Sequence, residues 1–120
     1  MNASRAVLML LRLAFAVQIV VGVAMWAGYW TSLVGLHMAV GSLFVLLLWI
    51  VAAIALVRRR AVGLALFAIV WGIVLAGFGM AQRGIMVGDA HWVIRIVHLL
   101  IAMAAMPMAE RLARVEAPTA

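Results

Sequence analysis

The chain has no cysteine and no lysine, and only three acidic residues and two prolines among its 120 positions. Without cysteine there are no disulfides, thiolate zinc sites or iron–sulfur clusters. The shortage of acids excludes a carboxylate proton relay through an apolar interior, because Asp89 and Glu110 lie at the ends of apolar runs rather than within them. No Ser–His–Asp set can be assembled from the sequence, and no glycine-rich phosphate loop is present.

What the chain does have is apolar surface. Hydrophobic residues make up 71% and charged residues 10% of the sequence, whereas a soluble domain is about half apolar and a quarter charged. A chain this short cannot hide that excess in a water-soluble core, so the surplus faces lipid. Its length suits a single domain. The formal charge of +6 would suit nucleic acid, but all nine basic residues are Arg and they cluster at the ends of apolar runs. Positive loops on one side of a membrane give the same sum, and no nucleic-acid partner is expected.

A spanning helix needs about 20 apolar residues. Four runs qualify: about Ala6 to Tyr29, Ser32 to Val57, Ala61 to Ala81 and Ala90 to Ala109. They predict an all-α, four-helix transmembrane bundle of two up-down hairpins, with residues 1–120 as one membrane domain. The alternation of a membrane barrel is absent. The first run continues past signal-peptide length and is read as an uncleaved span. Thr31 and Asp89 are expected to cap the second and fourth helices, Pro107 to loosen the last turns of the fourth, and the tail from Val115 to Ala120 to fray.

Seven arginines (Arg5, Arg12, Arg58, Arg59, Arg60, Arg111, Arg114) fall on one side, and only Arg83 and Arg95 on the other. This places both termini in the cytoplasm, with a membrane of bacterial inner (plasma) type as the expected location. Trp26, Tyr29, Trp30 and Trp92 then form an aromatic belt at the outer boundary. Each hairpin carries a His early in its returning helix, which suggests a parallel repeat about an axis along the membrane normal.

Polar and ionisable groups in lipid are costly and mark function. Here they are Gln18, His37, His91, Arg95 and His98. His37 follows Thr31 by six residues and His98 follows Asp89 by nine, so their depths differ by roughly 5 Å. Measured back from the cytoplasmic arginines, His91 matches His37 better than His98 does, and the second partner stays open between them, with His98 preferred. Two imidazoles on parallel helices can hold one iron in a planar macrocycle. Gly41 and Ala102, each one turn below a histidine, leave room for a flat ring. His91, Arg95, His98 and Ala102 share one helix face, where Arg95 and His91 would meet haem propionates. Plainer roles stand beside these: a membrane His or Gln18 as a helix–helix hydrogen-bond partner, Arg95 snorkelling outward, His91 as an interfacial residue, and the nine Met as packing.

The stretch Gln18-Ile-Val-Val-Gly22, followed by Leu36-His37-Met38-Ala39, resembles a hairpin of the haem A synthase family, which carries Gln-x-x-x-Gly on one helix and Leu-His on the next. The resemblance implies that His37 is a haem ligand. Val93-Ile94-Arg95-Ile96-Val97-His98 is a looser match that implies the same role for His98. A second Gln-x-x-x-Gly is missing, with Trp71-Gly72-Ile73-Val74-Leu75 in its place. Family members have eight helices in two four-helix halves. This chain resembles one half, over about residues 15 to 105, and has neither the outer-loop cysteine pair nor the outer-loop Glu associated with catalysis. The resemblance therefore implies a haem-b-binding bundle rather than synthase activity.

The combined expectation is a small membrane b-type cytochrome with one haem b between His37 and His98. It would transfer electrons in a respiratory or quinone-linked chain, which favours an electron-transfer haem protein over a catalyst and leaves enzymatic activity open. Expected partners are lipid, quinone, and a second copy or a larger membrane complex. The alternatives are a cofactor-free accessory or assembly subunit, and a haem-handling relative of the synthases.

Overall fold

The computed structural model describes residues 2–115. Among them are four long α-helices: α1 (Ala3–Trp26), α2 (Val34–Val57), α3 (Val62–Ala81) and α4 (His91–Val115). Short 3-10 turns occur at Thr31–Leu33 and Gln82–Gly84, and the described residues contain no strand. All four helices are long and apolar enough to cross a membrane; even the 20 residues of α3 reach about 30 Å.

The helix ends differ from the sequence expectations for local reasons. α1 starts early because Asn2 Oδ1 accepts a hydrogen bond from the Arg5 backbone N–H at 2.9 Å. It ends in a Schellman arrangement: Tyr29 N–H donates to Ala24 O at 2.8 Å and Gly28 N–H to Met25 O at 3.1 Å, with Gly28 at φ +88°. The end of α2 repeats this pattern with Arg59, at φ +54°, in the position glycine favours. Thr31 does not cap α2. It opens the 3-10 turn, and no side chain caps either that turn or α2. Asp89 lies in the turn before α4, whose first N–H, on His91, donates to Gly88 O at 3.0 Å. Pro107 sits inside α4, which continues to Val115. A proline removes one helical donor, but contacts from Glu110 and the Val115 carbonyl hold the turns beyond it. The remainder of the predicted fraying tail, 116–120, lies outside the described residues.

Each helix packs against its neighbours in sequence, and α1 also packs against α4. α2 and α4 meet across the bundle, while α1 and α3 stay apart among the described residues. The sealed core lies toward one end. Leu8, Leu11 and Ala14 meet the buried α2 residues from Phe44 to Ala55, along with Ala65, Ala68, Ala105, Ala109 and Leu112. Toward the other end, the buried apolar side chains among the described residues are Leu75, at the margin of this core, and Val21 and Ile94 outside it.

Polar ties close the sealed end. Arg12 Nη2 lies 2.7 Å from Glu110 Oε1 and Arg12 Nε donates to the same oxygen at 2.8 Å. Arg114 approaches Glu110 at 3.5 Å, and Arg60 Nη1 donates to Val115 O at 3.0 Å. These contacts put the start of α1, the α2–α3 turn and the end of α4 at one end of the bundle. Two indoles stitch adjacent helices together: Trp49 Nε1–H donates to Ile69 O at 3.1 Å and Trp71 Nε1–H to Ile101 O at 2.9 Å.

Candidate functional site

Above the sealed core, α2 and α4 present His37 and His98 to each other. Their ring centres lie 6.5 Å apart, with planes inclined at 60°. The depth mismatch expected from the sequence shrinks because α4 begins at His91, two residues after Asp89. His37 is six residues past the beginning of the 3-10 turn at Thr31–Leu33, and His98 is seven past the start of α4.

Each ring is seated against a glycine of the preceding helix. A Cβ on Gly22 would lie 3.1 Å from His37 Cε1, and one on Gly79 would lie 3.2 Å from His98 Cε1. The two halves thus repeat the same contact, with Gly22 and His37 in one and Gly79 and His98 in the other. This sets the internal register. The counterpart of Gln18-x-x-x-Gly22 is Leu75-Ala76-Gly77-Phe78-Gly79, not the segment from Trp71 to Leu75. Trp71 instead donates its indole N–H to α4, and Gly72 provides the gap into which the Trp49 indole fits.

Gly79 and Phe78 were not among the candidates read from the sequence, and Gly22 entered only as part of a motif. The signal was the four-residue step ending in glycine, obscured by Leu75 where Gln was sought. Phe78 stacks on His98, with centres 6.2 Å apart and planes 12° from parallel.

The other candidates are distributed as follows. Gln18 is half-buried, its Oε1 has no partner, and its amide nitrogen fills the space beside Gly41: a Cβ there would meet Nε2 at 2.6 Å. The room expected at Gly41 is therefore taken by Gln18. Ala102 packs at the edge of the core, one turn below His98. His91 is drawn away from the pair, and its Nδ1–H donates to Ile85 O in the α3–α4 connection at 3.1 Å. Arg95 is exposed. Of His91 and His98, it is His98 that faces His37.

The donor pair can be tested against a single metal in a flat ring. An imidazole nitrogen sits about 2 Å from a first-row metal and the ring centre about 1 Å farther, so two imidazoles in trans have centres roughly 6 Å apart. The 6.5 Å separation matches. His37 Nδ1 and His98 Nδ1 are both buried without a hydrogen-bond partner, and a buried polar atom without a partner calls for one. No cluster of three or more His, Cys, Asp or Glu occurs among the described residues.

Comparison of the chain with protein-family models, curated proteins and solved structures returns no match.

Proposed function

We propose that this chain is a membrane b-type cytochrome that holds one haem between His37 and His98 and carries electrons in a respiratory or quinone-linked chain. The observation that carries the reading is the facing pair of imidazoles, 6.5 Å apart, each backed by a glycine of the preceding helix. The motif resemblance to the haem A synthase hairpin supports the same assignment. Bound haem supplies one-electron chemistry, and axial-ligand identity and burial tune it. The chain's own part is to fix two neutral imidazoles at matched depth, to exclude water with the apolar helices around them, and to keep the site from collapsing through the sealed core below.

The arginine-rich end, which gathers seven arginines and both ends of the described chain, faces the cytoplasm in this proposal. The histidine pair then lies toward the outer surface, in a membrane of bacterial plasma-membrane type. So little of the chain lies outside the helices that electrons must arrive from and leave to neighbours in the bilayer: quinone, a second copy or a larger complex.

The test is an absorption spectrum of the purified full chain in detergent. A Soret band that shifts on reduction supports the cytochrome, and His37→Ala and His98→Ala should each abolish the low-spin signature. A chain that stays colourless after exposure to haemin overturns the proposal and leaves a cofactor-free accessory subunit.

A further inference from the structure

The two imidazoles occupy equivalent places but are not equally held. His98 is fixed on two sides by one turn of α3, with Gly79 against its Cε1 edge and Phe78 stacked on its face at 6.2 Å and 12°. His37 has the matching glycine edge from Gly22. Among the described residues its one ring contact is His98 itself. The position before Gly22, equivalent to Phe78, is Val21, which offers no ring to stack. Burial differs on one side of each ring only. Both histidines precede a buried residue by seven positions, Phe44 after His37 and Ala105 after His98, but His98 also follows the buried Ile94 by one turn, whereas no described residue from 31 to 36 is buried ahead of His37.

We infer that His98 is the anchoring ligand and His37 the exchangeable one, with Phe78 as the positioning residue that makes the difference. This rests on the haem reading above. An offset aromatic stack restrains an imidazole without hydrogen-bonding it, so His98 keeps its ring plane whether or not the opposite ligand is engaged. His37, on a loosely packed helix start, can swing away without breaking any other ring contact.

The test uses the full-length protein loaded with haemin in detergent, and follows spin state and the rate of haem transfer to excess apomyoglobin. His37→Ala should retain haem as a high-spin species, and free imidazole should restore the low-spin spectrum. His98→Ala should release haem, with no rescue by imidazole. Phe78→Val, which gives the second half the residue type of the first, should speed haem loss roughly two- to tenfold. Phe78→Leu, which removes the ring but keeps most of the volume, should do the same. If the two histidine variants retain haem equally, or His37→Ala is the one that releases it, the inference is overturned while the cytochrome reading stands. If the wild type takes up no haem, both are overturned.

Discussion

Arg12 and Glu110 lie 98 positions apart in the chain and 2.7 Å apart in the structure. Two nitrogens of the guanidinium reach the same carboxylate oxygen, joining the first helix to the last where no loop connects them. Arg12 is 57% exposed and Glu110 22%, so the pair is screened and its contribution is modest. Glu110→Gln should lower stability in detergent by about 1 kcal/mol or less, with most of the loss gone at high salt. The exchanged pair Arg12→Glu with Glu110→Arg should recover part of it. A thermal melt of each variant at low and high salt checks this, and an equal loss at both would show that the pair acts through packing rather than charge.

The Trp49 indole occupies the place where a side chain on Gly72 would start, and its N–H reaches Ile69 O. Gly72→Ala should therefore push Trp49 out of its seat and destabilise the bundle by about 1–3 kcal/mol. Gly63→Ala, where a Cβ meets nothing within 4 Å, should be neutral or stabilising by about 0.5–1 kcal/mol. Unfolding in mixed micelles ranks the two, and equal effects would mean that the α2–α3 contact is looser than described.

Four continuous apolar runs announced four helices, because a helix in lipid must satisfy all its backbone groups within itself and so shows as an unbroken stretch. The ends were less legible. Asn2 caps α1 with a side-chain oxygen ahead of the apolar run, the left-handed Arg59 is backbone geometry that residue type signals only weakly, and the start of α4 at His91 rather than at Asp89 brought the two histidines to matching depth. At the site, His37 and His98 were visible as ionisable residues in lipid. Their shared glycine seat was not, because His37 follows Gly22 by 15 positions and His98 follows Gly79 by 19, and Leu75 stands where Gln18 would be sought. The Arg12–Glu110 tie is a long-range contact that helix periodicity does not encode.

His91 shares a helix face with His98, yet its Nδ1–H is committed to Ile85 O in the connecting loop. His91→Gln should leave the low-spin haem spectrum unchanged and cost about 1 kcal/mol through the lost loop contact. The measurements are the reduced-minus-oxidised spectrum and amide exchange of the 82–90 connection. Loss of the low-spin spectrum in this variant, with His98→Ala retaining it, would transfer the ligand role to His91.

The glycines behind the imidazoles give the sharpest contrast. A methyl group at Gly22 or Gly79 would press on Cε1 of the facing ring at 3.1 or 3.2 Å, so the ring must shift by a few tenths of an ångström, toward its partner across the bundle. Gly77 lies two residues before Gly79 on α3, and a Cβ there meets nothing within 4 Å. Gly22→Ala and Gly79→Ala should each perturb the low-spin bands and weaken haem retention, and Gly77→Ala should leave both as they are while raising helix stability by about 0.5–1 kcal/mol. The effect at Gly79 should be the larger, because Phe78 blocks one direction in which His98 could yield, whereas His37 is free to tilt away from Gly22. A titration of haemin into the three variants, read at the Soret band, decides the order. Identical curves for Gly77→Ala and Gly79→Ala would mean that the glycine seat does not position the ligand.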